Sequence, residues 1–245
     1  MLELRGVSKS YRGQTVLRPL DLRFPEGRTA ALIGPSGCGK STLLRLLIGL
    51  ATPDQGQVLI GDEPLTPASA PRLRHRIGYV IQEGGLFPHL SAADNVALLA
   101  RHLGWSADKI SARVAVLRDL VRLPADALSR FPGQLSGGQR QRVSMMRALM
   151  LDPEFLLLDE PMGALDPMIR ADLQADLRTI FNDLKKTVVL VTHDLGEAAF
   201  LGHEILLLSE GRVLQRGTIH DFIAAPADPF VTRFIQAHRL SLEAA

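Results

Sequence analysis

Eight consecutive residues, Gly34-Pro35-Ser36-Gly37-Cys38-Gly39-Lys40-Ser41, fit the pattern G-x-x-x-x-G-K-[ST], and Thr42 follows. The residue types suit a polyphosphate. Backbone N–H groups can curl around an anion only where side chains do not block them, hence the glycines. Lys40 supplies a point charge for the β- and γ-phosphates, and Ser41 a hydroxyl for Mg²⁺. A helix starting near Lys40 turns its N-terminal dipole and free N–H groups toward the same anion. Gly34, Ser36, Gly37, Cys38, Gly39, Lys40, Ser41 and Thr42 are therefore candidate contacts to a nucleoside triphosphate. A plain glycine-rich turn with an exposed lysine is the competing reading. The buried strand expected before the segment and the amphipathic Leu43–Leu50 stretch after it count against that.

A second candidate is Phe155-Leu156-Leu157-Leu158-Asp159-Glu160, which puts two carboxylates at the carboxyl end of an apolar strand, where α/β sheets bind ligands. Asp159 suits Mg²⁺, through water, and Glu160 suits polarising the water that attacks a γ-phosphate. Either carboxylate also suits the cap of a helix beginning at Pro161, a role compatible with catalysis.

Such groups need a sheet edge to hold them. Leu20–Phe24 and Gln57–Ile60 alternate with period two, and Pro53–Gly56 supplies a turn before the latter. Thr29–Ile33, Phe155–Leu158 and Thr187–Val191 are short apolar runs, the pattern of fully buried strands. Asp94–Leu99, Ile110–Leu123, Gln139–Leu151 and Ile169–Leu184 carry apolar residues at helical spacing. Ile205–Leu208 and Val213–Gln215 flank Ser209-Glu210-Gly211-Arg212 as a hairpin. This predicts an α/β nucleotide-type core with a mostly helical insertion.

Composition narrows the class. With 245 residues, 46% hydrophobic and 22% charged, the chain excludes wholesale disorder. A net charge of +2 gives no field that would recruit nucleic acid or anionic lipid. No run of about 18 apolar residues marks a membrane span. The opening MLELRGVSKSYRG has no signal-peptide pattern, and the lone Cys38 suits a reducing compartment. Cys38, beside Lys40 and a helix N-terminus, is expected to favour its thiolate and to be protected from alkylation by ATP.

Leu135-Ser136-Gly137-Gly138-Gln139 is a further anion receptor in form: Ser136 can cap a helix, and the glycines expose N–H groups at its positive end. Taken alone, it equally fits an ordinary helix cap. LSGGQ lying between the other two motifs resembles the signature of the ATP-binding-cassette (ABC) ATPases, and the similarity runs from about Leu2 to Ile235. The resemblance implies a single cassette domain over 1–245. Its P-loop, RecA-like core would carry an N-terminal antiparallel β subdomain, a helical subdomain at about 88–150, and a C-terminal hairpin and tail at about 204–245. Tyr11 matches the aromatic that stacks on adenine, although a core or edge-strand tyrosine fits as well. Gln82 matches the glutamine that senses Mg²⁺ and the attacking water, and His193 the switch histidine at the γ-phosphate. Gly163-Ala164-Leu165-Asp166 resembles the family's D-loop, with Gly163 where many members have serine.

By the same resemblance, two subunits would sandwich two ATP molecules. Ser136, Gly137, Gly138 and Gln139 would act in trans, while Lys40, Ser41, Gln82, Asp159, Glu160 and His193 act in cis, with Asp166 at the dimer face. Ser41, Gln82 and Asp159 would attend the Mg²⁺, and Glu160, His193 and Gln82 the chemistry. The subunit would sit on the cytoplasmic face of the cell membrane through permease subunits, linked indirectly to a substrate-binding protein, with no nucleic-acid partner. Gly84–Leu90 would help form the permease groove, unless Leu86 and Phe87 instead pack inward. Segments 77–96, 152–169 and the tail are most similar to cassettes of glycine betaine, choline and related quaternary-amine importers. A cassette of another importer, an exporter or a lipid-trafficking complex would share the same motifs.

Overall fold

Along the apolar strands, successive side chains enter different cores, as the two-residue period of a strand requires. The computed structural model describes residues 1–82, 84–163 and 165–243, with side chains through His238. Strands β3 (Thr29–Ile33), β7 (Phe155–Asp159), β8 (Thr187–Val191) and β9 (Glu204–Ser209) form the buried centre of a six-stranded sheet. Strand β6 (Ile77–Val80) and β10 (Arg212–Gly217) are its edges, and the order is β10-β9-β3-β8-β7-β6. All neighbours are parallel except β9 with β10, which form the expected hairpin.

One face of this sheet meets a second, antiparallel sheet. It comprises β1 (Leu2–Tyr11), β2 (Gln14–Phe24), β4 (Gln55–Ile60) and β5 (Glu63–Pro64), in the order β2-β1-β4-β5. Helix α1 (Lys40–Leu47) lies within the same core. Leu32, Phe155, Leu157, Val189, Val191 and Leu206 point into it. Strand β2 starts earlier than its alternation suggests, because Gln14 pairs with Tyr11 across a tight turn. Likewise the expected turn at Pro53–Gly56 yields Gln55 to β4, which pairs there with Ser8.

The opposite face carries two clusters. Val188, Leu190, Leu156 and Leu158 pack with the helical insertion and α6 (Pro167–Leu184). Ala31, Ile33, Ile205 and Leu207 pack with α7 (Leu195–Leu201), α8 (Ile219–Ala224) and α9 (Pro229–Glu243). Besides the one-turn α2 (Ala70–Leu73), the insertion supplies α3 (Ala92–His102), α4 (Ala107–Leu120) and α5 (Gly137–Leu149). Ser91, Ser106 and Ser136 accept N–H bonds from Asp94, Lys109 and Gln139, which fixes where these three helices begin. That is why α4 starts before Ile110 and α5 before Gln139.

Candidate nucleotide site

The carboxyl ends of β3, β8, β7 and β6 lie side by side, and each releases one group of candidate residues. Register fixes the alignment: Leu32 pairs with Val191, Val191 with Asp159, and Val80 with Leu158. The phosphate loop, His193, Asp159-Glu160 and Gln82 therefore occupy one sheet edge. This is where parallel α/β sheets present ligands.

Gly34 leaves β3 against the Leu208 carbonyl, which an added Cβ would approach to 2.1 Å. Gly37 holds φ +78°, a left-handed conformation that glycine adopts without steric cost. The N-cap of α1 is Gly39, which offers no side-chain acceptor, so the first-turn N–H groups stay available to an anion. Val16, Ser36, Gly37, Lys40, Ser41 and Glu160 line the resulting depression of about 340 Å³. Lys40 is buried, and its ammonium donates to the Gly34 carbonyl at 2.7 Å and the Pro35 carbonyl at 3.0 Å.

Cys38 departs from expectation. Its side chain faces the core shared by α1 and the antiparallel sheet, and the residue is 7% exposed. Burial pushes the thiol pKa up and outweighs the nearby Lys40 ammonium, which lies 3.9 Å from the sulfur. The expected thiolate is therefore disfavoured.

Asp159 ends β7 beside the Ser41 hydroxyl. Its carboxyl is raised above the usual range by burial and then by Glu160, against the opposing pull of Arg45, Ser41 and Lys40. Tyr79, from the neighbouring strand, faces the same carboxylate; burial and Asp159 push its phenol up to about 12. Glu160 takes a left-handed backbone, φ +46°, held by its N–H bond to the Val191 carbonyl at 2.9 Å. Its Oε2 sits 3.3 Å from His193 Nδ1. A Cβ on Gly163 would lie 3.5 Å from that same oxygen, so the 163–166 segment borders Glu160 on its other side.

A second depression, about 400 Å³, is lined by Gln82, Gly137, Arg140, Gln141, Glu160 and Gly163 among others. Glu160 is common to both depressions. Ser136 Oγ accepts from the Gln139 N–H at 3.2 Å, and Gln139 Oε1 accepts from the Ser136 N–H at 3.0 Å, a reciprocal cap. The two glycines do more than expose N–H groups. A Cβ at Gly137 would meet Leu165 Cδ2 at 2.9 Å, and one at Gly138 would meet Ile169 Cγ2 at 2.7 Å. They let α5 begin in contact with the 163–166 segment and α6. Asp166 caps α6 by accepting from the Ile169 N–H, while Ala164 lies outside the described residues.

Tyr11 is 42% exposed. It ends β1 at the exposed hairpin tip, with the Lys9 ammonium 5.3 Å from its ring centroid. The two readings of Leu86 and Phe87 divide between the residues: Leu86 packs inward, and Phe87 is 44% exposed. Fully buried Asn95 sets this apart, accepting from the Phe87 N–H and donating to the Phe87, Leu90 and Ser91 carbonyls. Several residues here carried no sequence signal. Ser144 and Arg147 on α5 donate to the Gly84 carbonyl, and Arg147 also to that of Gly85, tying the segment after Gln82 to the signature helix. Gln141 Nε2 is buried with no hydrogen-bond partner. On a bare sequence these are indistinguishable from a helix's ordinary polar face.

Residues 17–163 match the family model described as ABC transporter. The glycine betaine/carnitine/choline transport ATP-binding protein OpuCA of Bacillus subtilis is 41% identical over 98% of this chain. The chain spans 63% of that relative's length. The glycine betaine uptake system ATP-binding protein YehX of Escherichia coli is 41% identical over 99% of this chain and 79% of its own. Among solved structures, the dimeric ATP-binding cassette MJ0796 in a post-hydrolysis state, bound to ADP and Pi, superposes with a TM-score of 0.81 at 33% identity. It covers 89% of this chain and 99% of its own. With a phosphate loop and an acidic strand end on one sheet edge, a signature helix opening beside Glu160, and these likenesses along nearly its full length, the chain belongs to the ABC transporter family of ATP-binding cassettes.

Proposed function

We propose that the chain binds MgATP and hydrolyses it to power a membrane transporter, as the engine of an importer of quaternary amines such as glycine betaine or choline. The observation that carries the hydrolytic reading is Glu160. Its carboxylate is 3.3 Å from His193 and borders the phosphate-loop depression on one side and the signature cleft on the other. Lys40, the N–H groups of Gly37–Thr42 and the α1 dipole hold the phosphates. Glu160 then takes a proton from water at the γ-phosphate, and His193 braces that carboxylate and contacts the transferring group.

Mg²⁺ fits the donors present. Ser41, Gln82 and Asp159 offer oxygen ligands, and a divalent cation would offset the cost of keeping Asp159 ionised while half-buried. When bound, the ion supplies charge neutralisation at the β- and γ-oxygens. Among the described residues no three-residue His/Cys/Asp/Glu cluster competes as a metal site.

A second copy completes the reading. The signature residues Ser136–Gln139 do not line the phosphate-loop depression of their own chain, which leaves that depression open to a partner's signature. The dimeric relative bound to ADP and Pi supports this arrangement. Exposed Phe87, held outward by Asn95, is the proposed contact for permease subunits. The cargo class rests on the betaine and choline names of the relatives and on the texture of segments 77–96 and 152–169. The exposed Tyr11 ring at the hairpin tip is the proposed stacking surface for adenine.

The test is phosphate release by the purified chain with MgATP, for wild type and Glu160→Gln. The reading expects steady turnover in wild type and a fall of about 10²- to 10⁴-fold in the variant. Equal turnover in the two would remove Glu160 as the base.

A further inference from the structure

Arg170 lies on the first turn of α6, and its guanidinium reaches two segments that flank Glu160. One end donates from an Nη2 to the Leu165 carbonyl at 3.3 Å, within the 163–166 segment. The other faces the residues after His193: Nη1 is 3.9 Å from Asp194 Oδ2, and Nε is 3.8 Å from Glu197 Oε1. Nε is buried and makes no hydrogen bond.

The segment it faces is pinned on both sides of His193. Thr192 Oγ1 donates to Glu197 Oε2 at 2.5 Å and accepts from the Asp194 N–H at 3.0 Å. Asp194 Oδ1 accepts from the Glu197 N–H at 3.0 Å, capping α7. Thr192 and Glu197 are buried, whereas the His193 side chain between them is largely exposed, with its Nδ1 3.3 Å from Glu160. The backbone at His193 is thus set by a small polar cluster, and Arg170 is the member that joins it to the 163–166 segment. A guanidinium suits this place because its planar fork holds donors in fixed directions toward the Leu165 carbonyl and the two carboxylates, whereas an ammonium is a compact point charge on a flexible stem.

We propose that Arg170 is a positioning residue: it holds the His193 loop and the 163–166 segment at a fixed separation, and thereby sets His193 against Glu160. The inference rests on the hydrolytic reading above and concerns the turnover step, not nucleotide capture. Residues holding the phosphates lie on other elements, so KM for ATP is insulated from Arg170 while kcat is not. Misplacing a reacting group by about 1 Å costs up to about 100-fold in rate.

The test measures kcat, KM for ATP and thermal midpoint for the full chain as wild type, Arg170→Lys and Arg170→Ala. Each is also made in a His193→Ala background. Wild-type turnover that Glu160→Gln abolishes is the reference, so failure of the hydrolytic reading registers there and failure of this proposal registers in the Arg170 ratios. The proposal expects Arg170→Lys to fold like wild type, with kcat down about 10-fold or more and KM within about twofold. It expects the same substitution to cost less than about twofold once His193 is gone. A folded Arg170→Lys protein with wild-type kcat overturns it, as does a loss of equal size with and without His193. If Arg170→Ala fails to fold, the lysine variant decides.

Discussion

Glu160 holds its carboxylate through an unusual backbone. A non-glycine residue at φ +46° carries strain of about 1–3 kcal/mol, sustained here by the bond to the Val191 carbonyl. The motif had already placed this acid at a strand end, because a strand followed by two carboxylates is a local pattern. What a local pattern does not carry is which way a side chain faces. Cys38 shows the difference: its neighbours along the chain, Lys40 and a helix start, argue for a thiolate, yet the thiol turns inward and burial raises its pKa. Maleimide labelling of the native protein at neutral pH should therefore be slow and should accelerate on adding denaturant. Native labelling as fast as that of a free thiol would contradict the buried placement. The same logic hid Arg170, whose role arises from two loops that meet it in space.

At the scale of elements, α5 connects more than its sequence suggests. Its N-terminus presents Ser136 to Gly138, its middle and end bond the Gly84 and Gly85 carbonyls, and its last turn lies directly on β6. Gly78 makes that last contact possible, since an added Cβ would sit 2.5 Å from the Ala148 carbonyl. A backbone atom cannot swing aside. Gly78→Ala should therefore destabilise the protein by about 1–3 kcal/mol in urea unfolding. Gly133→Ala, where an added Cβ meets nothing within 4 Å, should stay within about 0.5 kcal/mol of wild type. Equal midpoints for the two variants would contradict the close approach of α5 to β6. Unlike β1, β6 and the 15-residue α9, strands β2, β3, β4, β7 and β8, the β9–β10 hairpin and helices α3 to α6 were legible from periodicity, because burial on one or two faces writes itself into the chain. Their starts were less so: Gln14 joins β2 through pairing, and the serine caps begin α4 and α5 ahead of the apolar pattern.

At the scale of the molecule, two separate depressions share Glu160, and each offers one part of the proposed ATP site. The phosphate loop opens at the end of β3, and the signature cleft opens beside Glu160 and the 163–166 segment. Among the described residues no helix is long and apolar enough to cross a membrane. Under the proposed function, membrane subunits would supply the transport pathway, and Phe87 with its Asn95-ordered loop is the proposed contact. Near-neutral charge agrees with attachment through protein contacts. The cargo was never legible, because no residue of this chain need touch it. We infer that ATP joins two copies of the chain and that Glu160 parts them by hydrolysis. Sedimentation of Glu160→Gln with MgATP and with MgADP tests it most directly. The account predicts a dimer with ATP and a monomer with ADP; a monomer under both conditions would contradict it.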